Sequence, residues 1–267
     1  MPQTTPLARP TFFNSVCAIW WRNFKVWRVQ FWPAITSNIF QPLLYLFSFG
    51  FGLGAVFAQM GETHYLAYVL PGIVANAAFF TASFEASISA FSRFYLQKTY
   101  SAILAAPVKL VEVLLAEALW SASKATLSAL AVLGVGLSLG AIPHVQMVLP
   151  VLLFTFLCCF VFACFGLMVM AYAHGFEFFS YFFTFWVTPA FLFCGVFFEV
   201  SRFPEWVQTV AWFIPMTHMI HIVRPLLLAP ETLTLMTILL YTAYIISFGA
   251  ISFLLAHRRL SRRLFDK

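Results

Sequence analysis

Charged side chains inside apolar segments are the first residues in this sequence that could do chemistry. Glu85, Glu117 and Lys124 lie in stretches that are otherwise hydrophobic, where an unpaired charge is costly. Glu117 and Lys124 are seven residues apart, about two helical turns, so they share a helix face. We therefore expect Glu85 or Glu117 to pair with Lys124 in a helical bundle. A proton relay through the same three residues is the alternative.

A second polar stretch, Gly195 to Pro225, lies between two apolar segments and is too polar to be a simple span. Irregular backbone at membrane depth requires surrounding protein or water. We expect a re-entrant hairpin of two short helices, Pro204 to Phe213 and Met216 to Val223, entering the membrane from one side. Its candidate outer-gate residues are Glu199, Arg202, Pro204, Pro215, His218 and Arg224.

The same stretch permits two other readings. Glu199 and Glu205 flank Arg202, so the three form a salt-bridged turn or contact the transported molecule. His218 and His221 could share a helix face and bind a metal, but two imidazoles without a third placed ligand are weak evidence. The sequence contains no Gly-x-Ser-x-Gly or His-Glu-x-x-His motif. The sequence therefore offers no converging catalytic groups of the kind that a membrane-embedded lipid-modifying enzyme would need. We expect no enzyme activity, metal or cofactor in this chain.

The composition indicates an integral membrane protein. The chain has 267 residues, of which 62% are hydrophobic and 9% charged, whereas soluble domains have about 25% charged residues. The net charge of +6 does not indicate nucleic-acid binding, because no Lys/Arg cluster occurs on a polar background. Cytoplasmic membrane loops produce the same positive excess.

An amphipathic helix is expected before the first span. Aromatic residues and one cysteine recur at spacings of four and three, which places them on one helical face. These residues are Phe13, Cys17, Trp20, Phe24, Trp27 and Phe31. Arg22, Lys25 and Arg28 fall beside that face, as in a helix that lies in the membrane interface. Packing on a soluble domain is the alternative, but no such domain is evident.

Six apolar stretches are each long enough, at about 20 residues, to cross a bilayer. They run near Pro33 to Ala58, Tyr65 to Ala90, Val113 to Ala141, Val148 to Ala173, Phe178 to Phe198 and Leu233 to Ala256. The predicted architecture is an all-α membrane protein. Residues 1–32 form a tail and the amphipathic helix, residues 33–256 the six-helix transmembrane domain, and residues 257–267 a basic tail.

The Lys and Arg residues predict the orientation of these spans. They are concentrated before the first span, between the second and third, and after the sixth. By the positive-inside rule both termini are cytoplasmic, and the stretch from Gly195 to Pro225 faces away from the cytoplasm. We expect a multi-pass membrane protein.

The segment from Phe91 to Leu110 is the only sizeable loop on the cytoplasmic side. Its first part is expected to continue the second span as a helix below the membrane. A short helix from Ser101 to Ala106, stopped by Pro107, would follow. Such a rigid piece could receive a push from a cytoplasmic partner, although a plain connector is equally consistent. The sequence has no phosphate-binding loop, so any ATPase is a separate chain.

These features together resemble the type-2 ABC exporter permeases, and most of all the nodulation-type lipooligosaccharide export permeases. The resemblance covers nearly the whole chain. It is carried by Trp21-Arg22-Asn23, Pro42 to Phe47 with Gly50, Gly52, Leu53 and Gly54, Phe84-Glu85, Ala90-Phe91, Arg93, Glu117, Trp120, Lys124, Gly195 to Phe198, Pro204, Phe213 to Pro215, His218 and Arg224-Pro225. Two departures, Glu199 and His221, lie in the outer stretch, so the substrate need not be a nodulation factor.

The resemblance implies a half-transporter. Two copies would form the membrane pathway above two copies of a separate ATPase, which binds ATP and Mg. The segment from Arg93 to Pro107, with Lys98 and Tyr100, would couple the two proteins, and the amphipathic helix would grip the ATPase edge. The implied cargo is a lipid-linked, glycolipid or lipooligosaccharide-type substrate moved out across the inner membrane. A proton-coupled secondary transporter and a drug efflux permease are the alternatives.

Overall fold

A computed structural model describes residues 10–29, 31–32, 36, 40–56, 59–60 and 63–265. This part is helical apart from its connections and one antiparallel pair, β1 (Gln59–Met60) and β2 (Thr63–His64), in which Gln59 lies opposite His64 and Met60 opposite Thr63. The α-helices are α1 (Phe12–Val29), α2 (Gln41–Phe47), α3 (Gly54–Val56), α4 (Tyr65–Phe84), α5 (Thr99–Leu104), α6 (Leu110–Ser138), α7 (Val148–Tyr172), α8 (Glu177–Phe182), α9 (Thr188–Phe193), α10 (Glu205–Phe213), α11 (Pro215–Leu228) and α12 (Leu235–Phe265).

Short 3-10 and π-helical segments connect or extend these helices. The 3-10 turns are Val145–Met147, Val200–Arg202 and Pro230–Thr232, and the π segments are Ser48–Leu53, Glu85–Ser89, Ser92–Leu96 and Phe183–Val187. Two of the π segments carry α4 onward, so that Tyr65–Leu96 is one helix of 32 residues. The expected continuation of the second span below the membrane is therefore present as helix.

Within the described residues, four helices are long and apolar enough to cross a membrane, or five if the bent pair of α10 and α11 counts as one span. The four are Tyr65–Leu96, Leu110–Ser138, Val145–Tyr172 and Leu235–Phe265. They correspond to the second, third, fourth and sixth predicted spans. The last of them continues beyond Ala256 to Phe265 without a break, so four arginines of the predicted tail extend the same helix. These four helices establish a multi-pass helical membrane protein.

The first predicted span is described only in part, and the fifth is shorter in the structure. The predicted start at Pro33 and end at Ala58 lie outside the described residues, and the described part is helical over Gln41–Phe47, Ser48–Leu53 and Gly54–Val56. The fifth runs through α8, Phe183–Val187 and α9. It ends at Phe193 rather than Phe198, because the chain turns at Gly195, whose φ of +89° favours glycine.

The Tyr65–Leu96 helix is the centre of the bundle. It is buried over 89% of its most apolar stretch, compared with 17% for Leu235–Phe265. It packs against α6, α7 and α11. At Gly72, an added Cβ would lie 2.8 Å from the Val196 backbone, so the absence of a side chain permits the turn after α9 to approach the helix closely.

Helix α1 packs on α6, but not through the predicted stripe as a whole. Its buried residues are Ser15, Val16, Ile19 and Asn23, whereas Phe13 is 73% exposed and Cys17 is also exposed. The second half of the stripe meets the bundle, where Trp20, Phe24 and Trp27 surround the ring of Trp120. The first half leaves Phe13 and Cys17 exposed, as the apolar face of an interfacial helix would be.

Candidate functional site

A buried cluster of four charged side chains joins the Tyr65–Leu96 helix to α6. Arg93 Nη1 donates to Glu85 Oε1 at 2.9 Å, and Arg93 Nη2 donates to Glu117 Oε2 at 2.6 Å. Lys124 Nζ donates to Glu85 Oε2 at 2.8 Å. The two carboxylates are thus bridged by one guanidinium, and two cations balance two anions.

Of the two expected pairings, the structure contains Glu85 with Lys124. Glu117 pairs instead with Arg93, which was expected to lie in the cytoplasmic loop below the membrane. Since the helix continues to Leu96, the long Arg93 side chain turns back into the bundle.

Two uncharged residues complete the cluster. Trp120 Nε1 donates to Glu85 Oε1 at 3.1 Å, and Asn23 Nδ2 of α1 donates to Glu117 Oε1 at 3.2 Å. Trp120 could have been found from its spacing, since it lies between Glu117 and Lys124 on the same helix face. Asn23 could not, because its position depends on how α1 crosses α6.

Burying the charges of this cluster costs desolvation free energy. Glu117 is fully buried and Glu85 is 4% exposed, and removing charges from water costs several kcal/mol per ion unless each is paired and hydrogen-bonded. Every carboxylate oxygen here accepts at least one hydrogen bond from a cation or a side-chain N–H. The arrangement is therefore tolerable only while all of its members are in place.

The predicted coupling segment lies directly beside this cluster. Its short helix is Thr99–Leu104 rather than Ser101 to Ala106, so it begins earlier and ends before Pro107, which is exposed. Lys98 is exposed, and its φ of +49° makes the tight turn that separates the two helices. Arg22 Nη2 donates weakly to Thr99 Oγ1 at 3.5 Å, which connects α1 to the segment.

Tyr100 points in the opposite direction from Lys98. Its side chain is fully buried and its ring lies edge-on to Phe94 at 5.6 Å. Burial, and secondarily the nearby Glu117 carboxylate, raise the pKa of the Tyr100 hydroxyl well above its usual value. The phenol therefore stays neutral and anchors the segment to the bundle.

The outer stretch forms a helical pair bent by 89°, α10 and α11. Pro204 precedes α10 and Pro215 begins α11, positions at which proline needs no backbone N–H partner. The second helix continues to Leu228 instead of ending near Val223, and Pro225 lies inside it. Neighbouring elements can satisfy the carbonyl that such a proline frees.

Arg224 fastens this pair to the bundle. Its Nε donates to Tyr68 O at 3.2 Å, and its Nη2 donates to Gly195 O at 2.6 Å and to Val196 O at 3.2 Å. The guanidinium also lies 4.0 Å from the centre of the Tyr68 ring. One side chain thus connects α11, the start of α4 and the turn after α9.

The remaining outer residues do not form the expected salt-bridged turn. Among the described residues Arg202 makes no ion pair within 4 Å of Glu199 or Glu205, and all three are exposed. His218 Nε2 lies 2.8 Å from Trp212 O, and His221 Nδ1 lies 2.8 Å from Thr217 O. The described residues contain no group of three or more metal-ligand side chains.

Comparison with known proteins places this arrangement in a family. A family model described as ABC-2 type transporter matches residues 14–228, which include the charge cluster and the bent helical pair. Nodulation protein J of Rhizobium leguminosarum bv. trifolii is 34% identical over 216 residues, which cover 79% of this chain and 80% of that protein. Nodulation protein J of Rhizobium meliloti (strain 1021) is 31% identical over 249 residues, covering 92% and 93%. The chain therefore belongs to the ABC-2 type transporter membrane family, as a permease of the nodulation type.

Proposed function

We propose that this permease is half of the membrane pathway of an ATP-driven exporter in the bacterial inner membrane. Two copies would assemble with two copies of a separate ATPase, which binds ATP and Mg. The cargo would be a lipid-linked or glycolipid molecule of the lipooligosaccharide type, moved outward. Membership of the ABC-2 family supports the ATPase partner, and similarity to nodulation protein J supports this class of cargo.

The proposed topology has six spans with both termini in the cytoplasm. The described α2 to α3 region would belong to the first span and α8 to α9 to the fifth. Helix α10 has nine residues and is about 14 Å long at 1.5 Å per residue, too short for a hydrocarbon core about 30 Å thick. Its sharp bend into α11 therefore favours a re-entrant hairpin over a broken span.

The observation that carries the proposed coupling is the position of Arg93. This residue lies at the start of the segment Arg93 to Pro107 and is ion-paired to Glu117 of α6. Arg22 connects α1 to Thr99, which begins the short helix within the segment. A push on the exposed turn at Lys98 would therefore reach α1, α6 and the Tyr65–Leu96 helix together. The proposed response is a tilt of the first, second and fifth spans of the two copies, which opens the path.

The same geometry argues against a proton relay. Glu85 accepts hydrogen bonds from Arg93, Lys124 and Trp120, and Glu117 from Arg93 and Asn23. Cations and hydrogen bonds that stabilise the charged form disfavour protonation of a carboxylate. The purified chain in liposomes should therefore show no flux driven by a pH gradient, whereas a secondary transporter would.

The test of the coupling proposal is a pair of variants with matched charge changes. Lys98→Gln removes one positive charge from the exposed turn, and Gln146→Glu adds one negative charge to the exposed loop before α7, at the opposite end of the proposed spans. The chain would be co-purified with its ATPase in lipid nanodiscs. We expect Lys98→Gln to lower lipid-stimulated ATP hydrolysis by about threefold to tenfold, the effect of losing one charged contact worth about 1 kcal/mol, with Gln146→Glu unchanged.

Two outcomes would count against the proposal. Failure to capture any ATPase would contradict the proposal that this chain is part of an ATP-driven exporter. Equal rates of ATP hydrolysis in complexes with Lys98→Gln, Gln146→Glu and the unaltered chain would contradict only the coupling role of the segment.

A further inference from the structure

We propose that the cavity beneath α1 binds the anionic phosphate headgroup of a membrane lipid. The cavity has a volume of about 400 Å³ and lies between α1, the Tyr65–Leu96 helix and α6. This site is separate from the outer stretch, and its argument requires neither the ATPase nor a particular cargo.

The first argument is charge. Three cations line the cavity, Arg22, Arg93 and Lys124, whereas the cluster contains two carboxylates, Glu85 and Glu117. Arg22 makes no ion pair with a carboxylate among the described residues; its Nη atoms donate to Asn23 Oδ1 and Thr99 Oγ1 instead. One positive charge is therefore uncompensated at the wall of the cavity.

The second argument is an excess of hydrogen-bond donors. Arg93 Nε and Trp27 Nε1 are buried N–H groups without a partner, and both residues line the cavity. Buried donors are rarely left unpaired, because each costs about 1–3 kcal/mol. Among the described residues of the lining Glu85 is the only carboxylate, and both of its oxygens already accept hydrogen bonds. A ligand with acceptor oxygens would pair with these donors, and an anionic ligand would in addition compensate the charge of Arg22.

The third argument is the apolar rim. Val26, Phe84 and Phe176 line the same cavity, and they are 54%, 38% and 43% exposed. A free anion would gain nothing from these side chains, but an acyl chain would bury them. A polar, cationic interior with an apolar rim fits an amphiphile such as a glycerophospholipid, whose phosphodiester supplies the anion and whose acyl chains supply the apolar surface.

The experiment uses the full chain in a neutral detergent, titrated with phosphatidylglycerol, phosphatidylcholine or inorganic phosphate. Thermal unfolding and native mass spectrometry would measure stabilisation and retained lipid. We expect phosphatidylglycerol to raise the unfolding temperature and remain bound, phosphatidylcholine to act more weakly because of its added cation, and inorganic phosphate to have little effect.

The deciding variants are Trp27→Phe, which removes one unpaired N–H but keeps an aromatic ring, and Arg22→Gln. Each should weaken phosphatidylglycerol binding by about tenfold, the loss of one charge-assisted or buried hydrogen bond. Arg258→Gln, which removes an exposed cation of α12 outside the cavity, is the matched control and should bind normally.

The proposal is overturned if both cavity variants bind phosphatidylglycerol as tightly as the unaltered chain does. It is also overturned if Arg258→Gln weakens phosphatidylglycerol binding as much as the cavity variants do. The anionic lipid would then be attracted by the net positive charge of the chain and not by the cavity. Inorganic phosphate could also stabilise the chain as much as phosphatidylglycerol does, with the effect lost in both cavity variants. That result would support a phosphate site in the cavity but would overturn the proposal that its ligand is a lipid.

Discussion

Two arginines near opposite ends of one helix are satisfied in opposite ways. Arg93, near the end of the Tyr65–Leu96 helix, is paired with two carboxylates. Arg224 of α11, beside Tyr68 at the start of that helix, donates to three backbone carbonyls and lies over the Tyr68 ring. The first is held by charges on side chains, and the second by the backbone itself.

Because of this difference, a second mutation can compensate for the loss of Arg93 but not for the loss of Arg224. Side-chain charges can be removed in neutral sets, so the Arg93 cluster can lose a cation and an anion together. The carbonyls around Arg224 cannot be removed, and they keep their need for donors whatever replaces the arginine. We therefore expect the cluster to be the more fragile to single changes and the more tolerant of paired ones.

The largest effect is expected for Arg93→Met. The change leaves Glu85 and Glu117 buried with only Lys124 as a cation, and breaking a buried ion pair from one side costs about 3–5 kcal/mol. The unfolding temperature in detergent and the folded fraction on size-exclusion chromatography measure this loss.

The paired variant Arg93→Met/Glu117→Gln sharpens the comparison. It removes one cation with one anion, so it should recover at least half of the free energy of unfolding that Arg93→Met loses. No recovery in the double variant would mean that Arg93 acts by packing and not by charge.

A smaller loss is expected for Arg224→Lys. Lysine keeps the charge but has no planar fork to reach the carbonyls of Tyr68, Gly195 and Val196 at once. Losing hydrogen bonds from a charged donor to buried carbonyls costs about 2 kcal/mol, measured as a lower unfolding temperature. Stability equal to that of the unaltered chain would show that charge alone is required there.

The smallest effect is expected for Arg202→Gln. Arg202 is exposed and has no ion pair with Glu199 or Glu205 in the described part, so the free energy of unfolding should change by less than about 0.5 kcal/mol. A loss of export with unchanged stability would assign Arg202 to cargo contact, and a loss of stability would restore the salt-bridged turn.

The sequence predicts the long elements of the fold better than their ends. Hydrophobic length predicts the four helices observed at Tyr65–Leu96, Leu110–Ser138, Val145–Tyr172 and Leu235–Phe265, although not their bounds, because the bilayer sets only a minimum length for any span. It misplaces the end of the fifth, because the turn at Gly195 is stabilised by Arg224 from a different part of the chain.

The site could be predicted only where its members share one helix. The shared helix face of Glu117 and Lys124 follows from their spacing along α6. Arg93 was expected to lie outside the bundle, and Asn23 was named only as part of the family resemblance, because the contacts of both depend on how separate helices cross. Spacing within a helix is a local property, whereas the crossing of two helices is decided by packing across the whole bundle.

The two π segments in the Tyr65–Leu96 helix, Glu85–Ser89 and Ser92–Leu96, occupy the region that carries the cluster. A π turn contains more residues than an α turn. Converting one segment to regular α-helix would therefore shift the register of everything after it, and one residue of register corresponds to a rotation of about 100°. The helix would hardly change its length, yet Arg93 would swing away from Glu117 and carry the turn at Lys98 around the axis. The ion pairs of Arg93 with Glu85 and Glu117 are therefore compatible with only one rotation of the end of this helix about its axis.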